Sequence, residues 1–287
     1  LEPGDEVLLP APCWLSYPEM VRMAGGVPVV VHTTMDQGYV PSREQLSRAV
    51  TPKTRAIILN SPNNPTGVVW DEPALRMVAE VARAQDFYII SDEIYEDLVY
   101  EGEKHIPIAS LSDDAYARTI TISGFSKAYA MTGWRLGYAA GSKAVIEAME
   151  AYQSHATGNP SSVAQYAALA ALTGDQACVE EMRRAFEWRC AAMLAVLDAI
   201  PGVRYAKPHG AFYVLADVSR LLGKRFRGEV METDGRFAEL LLEHALVSAV
   251  PGEPFFAPGC LRFSYAINEE RLAEAGRRIK AFVQELV

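Results

Sequence analysis

Short apolar runs rich in β-branched residues alternate with helical patterns through the first half of the chain. The patterns predict strands at residues 27–32, 56–60, 87–92, 119–123 and 136–140, and helices at residues 43–50 and 72–85. A run such as Ile57, Ile58 and Leu59 is apolar on both faces of a strand, which is typical of a sheet covered by helices on each side. We therefore predict an α/β fold with a mostly parallel sheet and helices on both faces.

The second half of the chain changes character. It is strongly helical from Ala144, with predicted helices at residues 162–172 and 179–200. Beyond Pro201, predicted strands at residues 211–216, 246–250 and 261–265 mix with helices at residues 235–244 and 269–286. We predict a large domain over residues 1–178, followed over residues 179–287 by a connecting helix and a smaller α+β C-terminal domain.

Composition excludes several function classes. The chain has 27 basic and 36 acidic residues, a net charge of -9, and no basic stripe that would neutralise a phosphate backbone, so we expect no nucleic-acid partner. Its apolar runs are shorter than the roughly 20 residues that span a bilayer, and no signal-peptide pattern opens the chain. The four cysteines are scattered, and we expect free thiols in a soluble, cytoplasmic protein without a membrane partner.

Polar residues that follow predicted strands mark a candidate site, because ligands bind beyond the carboxyl ends of the strands in open parallel sheets. Four places carry them: the loop Ser61 to Gly67 (SPNNPTG), Asp92 with Tyr95, Ser126 with Lys127, and Arg135. Taken singly, the loop could be plain turn chemistry, Asp92 a helix N-cap, Lys127 a surface lysine and Arg135 an ion-pair partner. Their joint occurrence favours one site.

The strings SPNNPTG, SDEIYEDLVYEG, SGFSKAYAMTGWRLGYAAG, GAFYVL and LRFSYA occur in this order along the chain. In sequence and spacing the chain resembles the class I/II aminotransferases of fold type I, which depend on pyridoxal 5'-phosphate (PLP), and especially the subgroup of bacterial aspartate aminotransferases. The resemblance implies transamination between an L-amino acid, with aspartate favoured, and a 2-oxo acid such as 2-oxoglutarate. It also implies a homodimer, with residues 152–172 as the expected interface region.

The resemblance assigns five residues to the cofactor ring. Lys127 matches the lysine that carries PLP as a Schiff base and then moves the substrate proton as a catalytic base. Asp92 matches the aspartate that pairs with the pyridinium nitrogen, and Trp14 matches the aromatic residue that stacks on the ring. Asn64 and Tyr95 match the pair that hydrogen-bonds the 3'-oxygen, with Tyr95 counted as catalytic and Asn64 also as substrate-binding.

Further positions match the groups that bind anions. Arg135 corresponds to the arginine that grips the cofactor phosphate, and Ser126 is expected to add a hydroxyl there. Many relatives have a serine where this chain has Gly124, so we expect Ser123 or Ser126 to supply that part of the phosphate site. Arg262 matches the arginine that binds the α-carboxylate of the substrate, from the smaller domain.

The family has an N-terminal segment ahead of the point that matches Leu1, with a glycine-rich phosphate-binding turn at a helix N-terminus. We therefore expect the 287-residue chain by itself to be poorly active.

Three alternatives to transamination remain open at this point. The same scaffold supports other PLP-dependent chemistry, such as a β-elimination lyase, and it also occurs as an aminotransferase-like binding domain of transcription regulators. A catalytically dead paralogue is the third, although retention of Lys127, Asp92 and Arg135 argues against it. The five histidines show no paired-ligand spacing, so we assign no metal site and no catalytic histidine.

Overall fold

The computed structural model describes residues 1–287, and its first half is built on a six-stranded sheet. The strands are β1 (Glu6–Ala11), β2 (Val27–His32), β3 (Thr54–Asn60), β4 (Tyr88–Asp92), β5 (Thr119–Gly124) and β6 (Gly137–Ala140). Their order across the sheet is β2-β1-β3-β4-β5-β6, with parallel pairing except between β5 and β6. This topology confirms the prediction of a mostly parallel sheet.

Helices alternate with these strands, and three consecutive helices follow the last strand of the sheet. They are α1 (Ser16–Met23), α2 (Arg43–Ala49), α3 (Glu72–Gln85), α4 (Asp113–Arg118), α5 (Lys143–Ala156), α6 (Ser162–Thr173) and α7 (Ala177–Asp198). Helix α3 shows how local sequence sets the ends: the Asp71 side chain accepts a hydrogen bond from Ala74 N–H, and Asp86 closes the helix in the left-handed conformation. Its buried face packs under the sheet, in one core with Leu8, Ile57 and Ile89.

The second half forms its own core around a four-stranded antiparallel sheet. That sheet has the order β11-β12-β8-β7, with β7 (Arg204–Tyr205), β8 (Tyr213–Asp217), β11 (Val250–Pro251) and β12 (Cys260–Ser264), while β9 (Arg225–Phe226) and β10 (Glu229–Val230) form a separate pair. Helices α8 (Asp234–Ala245) and α9 (Glu269–Gln284) cover it together with α7, whose Met193 and Leu197 are buried in the same core. This shared core supports our proposal of a division at residue 178.

The predicted boundaries of two strands are corrected by the backbone. Of the strand predicted at residues 246–250 only Val250 belongs to a strand, β11, and Leu246 instead ends helix α8 in a left-handed conformation with φ 54°. The strand predicted at residues 211–216 starts only at Tyr213, since Ala211 has φ 56°. A residue at positive φ cannot continue the extended backbone of a strand.

No helix of the chain combines the length and the apolar character that a membrane crossing requires.

The two halves meet where the loop after β3 docks on the segment before β8. The carbonyl of Gly67 accepts hydrogen bonds from the N–H groups of His209 and Gly210, each at 2.9 Å. A Cβ on Gly67 would lie 2.6 Å from both Pro208 Cβ and the Tyr213 carbonyl oxygen. Only a glycine at this position permits the two backbones to approach so closely.

We expect Gly67→Ala to lower the free energy of unfolding by about 2–4 kcal/mol, because it combines left-handed strain (φ 72°) with a steric clash. Gly102→Ala is the matched control: its φ is 79° and no atom would lie within 4 Å of the new Cβ, so about 1–2 kcal/mol is expected. Urea unfolding measures both. Equal losses in the two variants would contradict the close approach at Gly67.

Candidate functional site

The end of β3 and the loop that follows it place Asn60 and Asn64 at the carboxyl end of the parallel sheet. The Asn60 side chain donates to the Asp92 carbonyl oxygen at 2.9 Å, and its Oδ1 accepts from Asn64 N–H at 2.8 Å. Further along the loop, Asn63 Oδ1 accepts from both the N–H and the hydroxyl of Thr66. These buried hydrogen bonds give the loop one conformation and direct the Asn64 side chain towards the cleft.

The carboxylate at the end of β4 is held by two donors. Asp92 Oδ2 accepts from the Tyr17 hydroxyl at 2.5 Å, and Oδ1 accepts from Ile94 N–H at 3.2 Å. Burial raises the pKa of Asp92, opposed by these two hydrogen bonds and by the positive charge of Lys127. A partly buried carboxylate held in this way is suited to receive a cationic or hydrogen-bond-donating group.

Lys127 stands in the turn that follows β5. The Thr132 hydroxyl donates to the Ser126 carbonyl oxygen at 2.9 Å, which ties this turn to the 3-10 helix Thr132–Trp134. Burial lowers the pKa of Lys127; Asp92 opposes this effect, whereas Arg135 and Arg262 add to it. Its Nζ lies 5.5 Å from the ring centroid of Phe212. Burial and the two arginines thus shift the pKa of the amine in the direction that a lysine acting as a nucleophile or base requires.

Two arginines face the same cleft. Arg135 donates to the Thr132 carbonyl oxygen at 3.0 Å, and Arg262 donates through Nη1 to Asn64 Oδ1 at 2.8 Å. Arg262 Nε is buried without a hydrogen-bond partner, and burial lowers the pKa of its guanidinium. Both arginines direct their hydrogen bonds to neutral oxygens, so their charges remain available to an anion.

These side chains line one cavity of about 620 Å³. All eight residues predicted for the site border it: Trp14, Asn64, Asp92, Tyr95, Ser126, Lys127, Arg135 and Arg262. Lys127, Arg135 and Arg262 bring three positive charges, whereas Asp92 is the one acidic residue in the lining. The cavity therefore favours a ligand with at least two anionic groups and a base or cation that reaches Asp92.

Ser123 is not part of this cavity. Its hydroxyl donates to Glu96 Oε1 at 2.7 Å on the other side of β5. Gly124 is explained by packing, since a Cβ there would lie 2.8 Å from the Cα of Gly137 on β6. Of the two serines considered for the phosphate, the structure brings only Ser126 to the cleft.

Eight further residues line the cavity that the sequence did not assign to the site, and four of them carry polar side chains: Tyr17, Asn60, Thr132 and Tyr213. Two of these polar residues could have been identified from the sequence, because Asn60 ends a predicted strand and Tyr213 lies in the GAFYVL string. Tyr17 follows Trp14 by three residues, but nothing in the sequence indicates that its hydroxyl reaches Asp92, 75 residues further along the chain.

A cluster outside the cleft resembles a metal site by composition. Glu93, Glu96 and His105 each offer one ligand atom within 4.8 Å of the others. These groups already have protein partners, since His105 Nε2 lies 2.9 Å from Glu93 Oε2 and Glu96 accepts from Ser123 and Tyr138. We interpret the cluster as a buried polar network of the fold.

The residues of the cavity fit PLP. The half-buried amine of Lys127, the single carboxylate of Asp92 and the guanidinium of Arg135 match a ligand that carries an aldehyde, a ring nitrogen and a phosphate. The unpartnered Nε of Arg262 leaves a donor for a second anion in the same cavity. The fit depends on the chemistry of these donors and acceptors and on their common cavity.

Comparisons with known proteins agree with this arrangement. Residues 1–279 match the family model for aminotransferase class I and II. The chain is 48% identical to the aspartate aminotransferase of Bacillus sp. (strain YM-2), covering 99% of this chain and 71% of that protein. It is also 48% identical to a probable aspartate/prephenate aminotransferase of Thermus aquaticus, and that match again covers 99% of this chain and 71% of the relative.

A solved structure, the aspartate aminotransferase of Rhizobium meliloti, superposes with a TM-score of 0.96 at 40% identity, covering 100% of this chain and 72% of that one. The predicted fold class is thus confirmed as the fold type I of PLP-dependent transferases. Together with the family match, these relatives show that the chain belongs to the class I and II aminotransferases, PLP-dependent enzymes.

Proposed function

We propose that the protein transaminates an L-amino acid, with aspartate favoured, against a 2-oxo acid such as 2-oxoglutarate, and that Lys127 holds the PLP. The observation that carries the proposal is a half-buried lysine with a lowered pKa that shares one cavity with Asp92 and two available arginines. Such a lysine is poised for covalent attachment to an aldehyde and for proton transfer.

When bound, PLP supplies an electron sink for the bond that breaks at the substrate Cα. Asp92 holds the ring nitrogen in its protonated form, while Tyr17 and Ile94 N–H keep the carboxylate oriented. Lys127 would hold the cofactor aldehyde, and its amine would act as the base that accepts the proton from the substrate Cα. Asn64 and Tyr95 would donate hydrogen bonds to the 3'-oxygen, and Trp14 would stack on the ring.

Each of the two arginines binds a different anionic group. Arg135, with the Ser126 hydroxyl, holds the cofactor phosphate, and Arg262 binds the α-carboxylate of the substrate. Both partners of the exchange, amino acid and 2-oxo acid, present the same carboxylate to Arg262. Asn64, hydrogen-bonded to Arg262, orients the guanidinium for this contact.

Aspartate is favoured because of the relatives rather than the cavity. The Bacillus relative is named an aspartate aminotransferase, and the Thermus aquaticus relative has aspartate and prephenate in its name. Within this chain each cation of the cavity already has a role, so the lining itself selects no particular side chain of the amino donor.

Lys127→Arg is expected to lower the formation of glutamate from aspartate and 2-oxoglutarate by about a thousandfold or more, because no other lining residue can both hold the aldehyde and move the proton. Lys53→Arg is the control and should keep its activity, because Lys53 is exposed and stands just before β3, at the opposite end of that strand from Asn60.

Borohydride treatment of the full-length, PLP-loaded protein should label the peptide that contains Lys127. An unlabelled Lys127 would contradict the proposal, and release of ammonia and pyruvate without glutamate would indicate an elimination lyase instead.

Asp92→Asn should reduce kcat by about a hundredfold to a thousandfold while changing PLP affinity much less, because a neutral amide no longer stabilises a protonated ring nitrogen. Asp97→Asn is the matched control, since Asp97 is an exposed acid in the same loop and does not line the cavity. Steady-state rates and PLP titration measure the two effects. A kcat equal to that of the wild type would refute the role of Asp92.

We also infer that the protein is a homodimer through a surface formed by α5 and α6. Helix α5 has no buried residue, and α6 has only Ala164 and Ala168 buried. Large apolar side chains are exposed along both helices, namely Met149, Tyr152, Val163, Tyr166, Leu169 and Leu172. Large apolar side chains exposed along two successive helices are typical of an interaction surface, and a second copy offers the same apolar surface in return.

Leu169→Glu should weaken dimerisation of the full-length protein by at least about a hundredfold, because it would bury an unpaired carboxylate in the interface. Tyr116→Glu on α4 is the control: Tyr116 is 71% exposed and lies outside this surface. Sedimentation analysis over a concentration series measures both. A wild-type monomer, or a Leu169→Glu dimer of unchanged affinity, would contradict the inferred interface.

We further infer a cytoplasmic location. The four cysteines are free, with Cys13, Cys190 and Cys260 buried apart from one another and Cys178 exposed. Scattered free thiols are typical of proteins in a reducing compartment, which supports this inference.

A further inference from the structure

Tyr213 occupies a position between the two halves of the cavity. It opens β8 in the antiparallel sheet, and its hydroxyl lies 3.2 Å from the hydroxyl of Tyr95, which follows β4 in the parallel sheet. The two rings stand edge to face, with centroids 5.9 Å apart. This is a hydrogen bond between two buried phenols that come from different sheets.

The same side chain supports Arg262. On β8 and β12, Tyr213 pairs with Ser264 and Leu215 pairs with Arg262, so Tyr213 and Arg262 are diagonal neighbours on one face. The guanidinium carbon lies 4.5 Å from the ring centroid of Tyr213 and 4.8 Å from that of Phe255. The cation is therefore held between two aromatic faces.

The backbone segment before Tyr213 is fixed by close contacts with the first half of the chain. Ala211 N–H donates to the Leu98 carbonyl oxygen at 2.9 Å, and a Cβ on Gly210 would lie 2.7 Å from Pro62 Cβ. Since the segment is in close contact with the loops after β3 and β4, the Tyr213 ring has little freedom to move relative to Tyr95.

We propose that Tyr213 is a positioning residue: its hydroxyl donates to Tyr95 and so strengthens the hydrogen bond that Tyr95 gives the cofactor, while its ring holds Arg262 for the substrate carboxylate. This inference rests on the proposed function, in which Tyr95 donates to the 3'-oxygen. Each phenol has one proton, so when Tyr95 donates to the cofactor, the bond between the phenols requires Tyr213 as donor. Hydrogen bonds in such a chain polarise and strengthen one another.

The Tyr95 phenol and the charged groups around Tyr95 and Tyr213 bear on any pH titration of the site. Burial raises the pKa of Tyr95, and Tyr213 and Asp92 add to the effect, so the phenol stays neutral through the accessible range. The charged groups that face the pair are Asp92, Lys127, Arg135 and Arg262. None of these charges is altered by removing the Tyr213 hydroxyl.

The experiment follows the visible absorption of the full-length, PLP-loaded protein as a function of pH, together with the dissociation constant for maleate, an unreactive dicarboxylate. Tyr213→Phe should raise the midpoint pH of the change in visible absorption by about half a pH unit. The reason is that a weaker hydrogen bond from Tyr95 favours the protonated form of the 3'-oxygen. Its affinity for maleate should stay within about twofold, since the ring under Arg262 is kept. Tyr213→Leu removes the ring as well, and should weaken maleate binding by about tenfold.

Two comparisons make the result decisive. In a double-mutant cycle, Tyr95→Phe combined with Tyr213→Phe should show the same transition as Tyr95→Phe alone, because Tyr213 acts through Tyr95. Tyr205→Phe is the matched control: its hydroxyl, on the same sheet, binds Asp198 away from the cavity, and its removal should leave the transition unchanged.

The outcomes separate this inference from the proposed function. If Tyr95→Phe moves the transition and Tyr213→Phe does not, or if the two shifts are additive, the role of Tyr213 is refuted while the function of Lys127 stands. If Lys127 carries no PLP, the proposed function itself fails. An unchanged affinity for maleate in Tyr213→Leu would refute the support given to Arg262.

Discussion

The parallel pairing of β3, β4 and β5 is the constraint on which the rest of the site depends. It places Asn60 beside Asp92 and Asp92 beside Ile122 at one edge of the sheet. From this edge the chain continues into the loop with Asn64, the loop with Tyr95 and the turn with Lys127. A polar group after any one strand would be unremarkable, whereas three successive strands ending together concentrate their polar residues in one cleft.

The charge distribution of that cleft follows from burial and proximity. Burial favours the neutral forms of both Asp92 and Lys127, while their mutual attraction favours the charged forms. Arg135 and Arg262 shift the balance towards a net positive cavity, since neither is paired with a carboxylate. A cavity with this charge balance is suited to anionic ligands, and its arginines lower the pKa of Lys127 at the same time.

The second sheet contributes Arg262 and Tyr213, and it depends on close backbone contact for doing so. Gly67 and Gly210 allow the loops of the first half to approach the segment before β8. Aromatic rings on both sides of Arg262 then hold its cation in place. Stability and site geometry are therefore linked, because Gly67 and Gly210, which hold the two halves together, each lie three residues from a residue that lines the cavity.

Sequence by itself determined the α/β class, the mostly parallel sheet, the family and the PLP dependence, because apolar periodicity and a string such as SGFSKAYAMTGWRLGY are local properties of the chain. It also named eight residues that the structure brings to one cavity, although their individual roles remain proposals. Only the tertiary structure decided that Tyr17 donates to Asp92, that Tyr213 bridges Tyr95 and Arg262, and that Ser123 turns away to Glu96. These contacts join residues 27 to 118 positions apart, and no local pattern encodes a distance between segments that meet only when the sheets are packed.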